Sequence, residues 1–173
     1  MNVKQLAQAI SYSMTAHDER AKKSEKRFRK WNITIPYGIH PTWCAMTFLT
    51  ECVYVFGPQE QRIMVLALLY HDIREDTNAE LPADTPELVR VMVNDLTFES
   101  SEHEMIEIWE RAAHRPHLYL LKLYDKVSNL LDGCWMPDIQ KRRYKEYTLA
   151  LAEKVVEHYG ELNIVLIARA ICS

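Results

Sequence analysis

An all-α fold is predicted for this chain by three observations. Glycine occurs only four times in 173 residues, at positions 38, 57, 133 and 160. Apolar residues recur mostly at spacings of three and four, the period of a helix face, rather than two, the period of a strand. Hydrophobic residues make up 48% of the chain, enough for one continuous core, so residues 1–173 are expected to form a compact single-domain helical bundle.

The first helix is expected over 2–20, with Val3, Leu6, Ile10 and Met14 on one face. The stretch 21–39 is basic and then contains Pro and Gly, which reads as a loop. Pro41 follows His40 and suits a first helical turn, so a helix runs from there to about 56, where Gly57 and Pro58 break it. Within it Trp43, Met46 and Phe48 read as core. Residues 59–73 form the next helix. A loop with two prolines follows, and TPELVRVMVNDL then reads as a helix capped by Thr85, with Pro86 at its first position. SEHE at 101–104 has capping-box spacing for another helix. Further helices are expected over 117–132 and 138–159, the latter ending at Gly160, with a short apolar segment beyond.

Composition narrows the partners. A net charge of −3 with mixed acidic and basic residues supplies no global basic field, which argues against nucleic acid and anionic membranes and for a small solute or a protein. No apolar run reaches the ~20 residues of a membrane span, and the polar amino terminus lacks a signal-peptide core, so a cytoplasmic location is expected. Cys44, Cys52, Cys134 and Cys172 form no CxxC pair and read as packed thiols. The first helix and the apolar tail LNIVLIARAIC also suggest surfaces that a homo-oligomer would cover.

The chemistry concentrates in ALLYHDIREDTNAE, 67–80. On a continuous α-helix His71, Asp72, Glu75 and Asp76 fall at about 0°, 100°, 40° and 140°, from ~100° of rotation per residue. Three carboxylates and an imidazole on one side repel or desolvate one another unless a cation neutralises them. His40 in PYGIHP and Asp125 in the apolar face of YLLKLYDKVSNLL extend the set to His, His-Asp and Asp from three helices. Mixed imidazole and carboxylate donors suit Mn²⁺, Fe²⁺, Co²⁺ or Zn²⁺ better than Mg²⁺ or Ca²⁺.

The ordered H, HD and D resemble the HD-domain metal-dependent phosphohydrolases over about 20–157. More narrowly, RK at 29 and 30, PYGIHP, ALLYHDIREDT and LKLYDKVSN resemble the small alarmone (ppGpp) hydrolases. The resemblance implies that His40, His71, Asp72 and Asp125 bind metal and that Glu75 and Asp76 are the catalytic pair. It matches Arg29 to a motif arginine, Asn129 to the asparagine after the last ligand and Tyr147 to a substrate-contacting tyrosine. Tyr124 and Ser128 depart from the pattern. That departure brings in the compact phage dATP triphosphohydrolases, which share the ligand set.

Either relative implies a purine nucleoside polyphosphate substrate. The alarmone enzymes remove pyrophosphate from a ribose 3′ position, whereas the dATP enzymes cut at the α-phosphate and release triphosphate. The second reaction leads, with ppGpp pyrophosphohydrolysis as the alternative and a non-catalytic nucleotide-binding module as a third reading. Mn²⁺, Co²⁺ or Zn²⁺ is the expected cofactor, with an additional Mg²⁺ on the substrate phosphates. Glu75 and Asp76 would position water and pass its proton to the leaving oxygen. Arg29 and Lys30 suit phosphate by fork and by point charge, and Lys126 or Arg143 the distal phosphates. Trp31 and Ile33 offer an apolar surface for the base. His114 and His117 have ligand-like spacing, but Pro116 interrupts any helix between them. Arg74 has no assigned role.

Overall fold

In the computed structural model, which describes residues 2–30, 32–52 and 54–173, helix α1 (Val3–Glu19) begins with a reciprocal cap between Asn2 and Gln5. Its buried face is Ala9, Ser13, Ala16 and His17, and Val3, on the apolar face, is 85% exposed. Small residues allow close approach: a Cβ at Gly38 would lie 2.9 Å from the Met14 Cα. Ser13 closes the same face by donating its hydroxyl to the Leu69 carbonyl at 2.7 Å.

The chain folds as two compact units, Met1–Thr97 and Phe98–Ser173, each mostly helical. In the first, the stretch expected as a loop contains a 3-10 turn, Ser24–Arg27, and two antiparallel strands, β1 (Phe28–Arg29) and β2 (Asn32–Pro36). The β-branched run Ile33, Thr34, Ile35 favours extended backbone, but it is too short to show a period. Trp31 lies outside the described residues.

Helix α2 (Ile39–Glu51) packs on α3 (Pro58–Tyr70). Phe48 is fully buried between apolar neighbours, whereas Met46 is exposed, correcting its assignment to the core. The helix expected over 59–73 stops at Tyr70. Asp72 has φ −92° and ψ −5°, in the sparsely populated bridge region, before the short α4 (Ile73–Asp76). His71, Asp72, Glu75 and Asp76 therefore do not share one continuous helix, and the wheel that placed them together is superseded by a turn. Helix α5 (Glu87–Leu96) takes Pro86 as its N-cap, so Thr85 is not the capping residue; its amide donates to Pro82 instead, at 2.9 Å.

In the second unit α6 (Ser101–Ala112) is capped by Ser100, one residue before the expected box, through a 3.3 Å bond from the His103 amide. That shift frees Glu104 to face inward, where it is buried. Helix α7 (His117–Leu131) is covered along most of its length and forms the unit's centre. Helix α8 (Asp138–Tyr159) ends at Gly160, whose φ of 76° suits glycine. The apolar tail is a helix, α9 (Asn163–Cys172), and its Ile164, Val165 and Ala168 are buried in packing that involves α7 and α8. The tail thus buries these three residues within its own unit, while Leu166 is 49% exposed. Cys44 and Cys52 are buried as expected, but Cys134 is exposed. No helix among the described residues is long and apolar enough to cross a membrane.

Candidate metal centre

Each donor of the first unit is aimed by local backbone. Gly38 starts α2, and the His40 amide donates to the Tyr37 carbonyl at 2.9 Å, placing His40 in the first turn. His71 closes α3, and its Nδ1–H donates to the Leu68 carbonyl at 2.7 Å. That bond assigns the proton to Nδ1 and leaves the Nε2 lone pair for a cation. His40 Nε2 and His71 Nε2 are 3.3 Å apart. Asp72 completes the group, with Oδ2 3.4 Å from His40 Nε2 and Oδ1 3.2 Å from His71 Nε2.

All three residues are buried, and one donor atom from each lies within 4.8 Å of the others. Such a dry, converging His, His, Asp set fits a divalent metal ion. Tyr37 supports it from outside by donating its hydroxyl to Asp72 Oδ2 at 2.7 Å. Burial pushes the Asp72 carboxyl up, but the His71 and His40 rings hold it well below the usual carboxylate range. Burial and the charges of Asp72 and Asp76 push the Tyr37 phenol well up, keeping it a donor.

Asp76 is buried 4% exposed, and Lys26 pairs with its Oδ1 at 2.6 Å. Burial and the Asp72 charge raise the Asp76 carboxyl, against the pull of Lys26. Glu75 lies half-buried on the same short helix. Arg29 is buried on β1 with its guanidinium 5.2 Å from the centre of the Tyr37 ring. Lys30 is exposed, and Ile33 is 78% exposed on β2. Arg74 now has a partner, donating to the Asn94 side chain, so it braces α4 against α5.

Asp125 and the remaining candidates belong to the second unit. Asp125 Oδ2 receives Lys122 at 3.3 Å and Lys126 at 3.1 Å, while Asn129 donates to Oδ1 at 2.7 Å. Glu104 meets the same two lysines at 3.3 Å and 2.8 Å. Burial alone would raise Glu104, but Lys122 and Lys126 hold it low; burial alone would lower Lys126, but Asp125 and Glu104 raise it well above its ordinary value. Tyr147 is buried, and burial together with the Glu104 charge pushes its phenol far up. Arg143 is exposed on α8.

Three residues escaped the sequence reading. Lys26 was hidden in a run of charges and Glu104 behind its capping-box spacing. His17 is the third: a lone histidine on a polar helix, it is 1% exposed, with its ring centre 4.8 Å from that of Tyr37 and neither ring nitrogen hydrogen-bonded. Burial lowers it to about 4.

No family model matches the chain, and no curated protein matches it. The fold is nevertheless shared with a solved structure of a metazoan ortholog of SpoT, described as hydrolysing ppGpp and playing a role in starvation responses. The two align with a TM-score of 0.71 at 20% identity, over 99% of this chain and 95% of the other.

Proposed function

We propose that this chain is a metal-dependent phosphohydrolase of purine nucleoside polyphosphates, with dATP cleavage to deoxyadenosine and triphosphate as the leading reaction. The buried convergence of His40, His71 and Asp72 is the observation that carries it. Asp125 is the fourth ligand in this reading, by its place in the resembling LYDKVSN segment. A bound divalent ion would acidify a water and polarise a phosphoryl oxygen. The protein's own work is positional. Tyr37 and the Leu68 carbonyl hold Asp72 and His71 in orientation. Glu75 orients the water, and Asp76, whose carboxyl is raised, accepts its proton and returns it to the leaving oxygen.

Arg29 and Lys30 contact phosphate in this reading, with Arg143 toward the distal end. Exposed Ile33, together with Trp31, supplies an apolar contact for the base. Asn129 and Lys126 hold Asp125, and Tyr147 lines the substrate side. Mn²⁺, Co²⁺ or Zn²⁺ is the proposed ion, with Mg²⁺ accompanying the phosphates.

A second reaction has its own support: the solved relative in fold is described as hydrolysing ppGpp, so removal of pyrophosphate from that alarmone is the alternative. Incubating each dNTP, each NTP and ppGpp with the three ions, and separating triphosphate from pyrophosphate, decides between them. Triphosphate from dATP alone is the expected product. Pyrophosphate from ppGpp would replace the leading reaction, and tight binding without turnover would make the chain a nucleotide-binding module. His71→Ala is expected to abolish turnover and metal uptake together; unchanged rates would end the metal reading.

A further inference from the structure

The segment before β1 is pinned to the catalytic turn. Ala21 and Thr77 form an antiparallel bridge, the Lys22 amide donates to the Asp76 carbonyl at 2.8 Å, and the Asn78 amide donates to the Arg20 carbonyl at 2.8 Å. Lys22 Nζ adds a 2.6 Å bond to the Arg74 carbonyl. The 3-10 turn Ser24–Arg27 then carries Lys26 back over α4, where its ammonium rests on Asp76. The two ends of that ion pair differ in access: the Lys26 side chain is 38% exposed and the Asp76 side chain 6%. A cation that reaches solvent thus covers a buried carboxylate. The motif that resembles the alarmone hydrolases begins at Arg29 and gives Lys26 no role.

We propose that Lys26 is a substrate-binding residue, whose ammonium transfers from Asp76 to a phosphate oxygen when the polyphosphate enters. This rests on the phosphohydrolase reading. Lysine suits the exchange because its ammonium is a point charge on a flexible stem, and a polyphosphate outcompetes a single carboxylate for it. The backbone bonds at residues 20–22 confine the movement to the side chain. Once uncovered, Asp76 takes the proton of the attacking water as the new O–P bond forms, and that proton passes to the leaving sugar oxygen as the old P–O bond breaks.

Calorimetric binding of inorganic tripolyphosphate to the full chain in Mg²⁺ buffer tests this without turnover and without choosing a nucleotide. Lys26→Met is expected to weaken binding about tenfold and to flatten its salt dependence, and Lys26→Arg to restore it within about threefold. Asp76→Asn, which removes the competing carboxylate, is expected to tighten binding, the opposite of what a structural disturbance of the pair would do. Unchanged affinity in Lys26→Met, weakening in Asp76→Asn, or no binding to the unaltered chain would each overturn the proposal. If no nucleotide is turned over yet binding depends on Lys26 in this way, the phosphohydrolase reading fails and the phosphate contact stands.

Discussion

Each unit buries a cluster of carboxylates, and the two clusters balance their charge differently. In the first, buried Asp76 pairs with Lys26, which reaches solvent, and buried Asp72 meets the Tyr37 hydroxyl and the His40 and His71 rings. In the second, Glu104 and Asp125 are matched by Lys122 and Lys126, all four buried. Burial of an acid is therefore a poor guide to a metal. The kind of partner is the better one, because a carboxylate met by neutral imidazoles in a dry site leaves its charge for a cation from outside to balance.

The sharpest way to break this contrast is to neutralise one acid in each cluster and measure metal affinity by competition with a chromophoric chelator. A divalent site worth ~10–16 kcal/mol shared among about four ligands loses roughly 10²–10³-fold per ligand, which is the loss expected for Asp72→Asn. If Asp125 is a ligand as proposed, Asp125→Asn is expected to cost about tenfold, because Lys122 and Lys126 already balance its charge. Equal losses would show that the lysines do not offset Asp125.

Next in size, Lys122→Met removes one of two cations from the second cluster. It is expected to destabilise the protein by about 3–5 kcal/mol, read from denaturant midpoints, since an unpaired buried acid remains. A neutral outcome would mean that water reaches the cluster.

The smallest effect concerns His17, which is buried in its neutral form. Its folded value of about 4 lies below its ordinary 6.5, so between these values the unfolded chain binds more protons and stability is lost as pH falls from about 6.5 to 4. The loss attributable to His17 approaches about 3 kcal/mol at the acid end. Replacing it in His17→Phe is expected to flatten that part of the stability profile relative to the unaltered chain. A profile that keeps its full slope would locate the acid sensitivity elsewhere.

What could be read from the chain follows from how local each signal is. The helices were legible because amphipathic runs repeat their period, as in α5 and α6. His40, His71 and Asp72 were legible because two of them are adjacent and the third sits in a motif. The turn at Asp72 was not, since no proline or glycine marks it and its backbone angles answer to packing. The two short strands carry too few residues to alternate visibly. Glu104 was misassigned because three-residue spacing from a serine fits a cap and a buried partner equally well. Lys26 gave no signal at all, because a lysine in a charged run is ordinarily solvated, and only the fold brings it to Asp76.

The pairing of Ala21 with Thr77 changes what the amino-terminal helix is for. Residues 20–22 leave α1 directly and hydrogen-bond the chain that carries Asp76, so the helix acts as the anchor of a tether rather than as an outer wall. The end of α1 is thus joined by backbone hydrogen bonds to the segment that carries the carboxylate. A helix to which no ligand or catalytic role is assigned thereby shares in the placement of a proposed catalytic group.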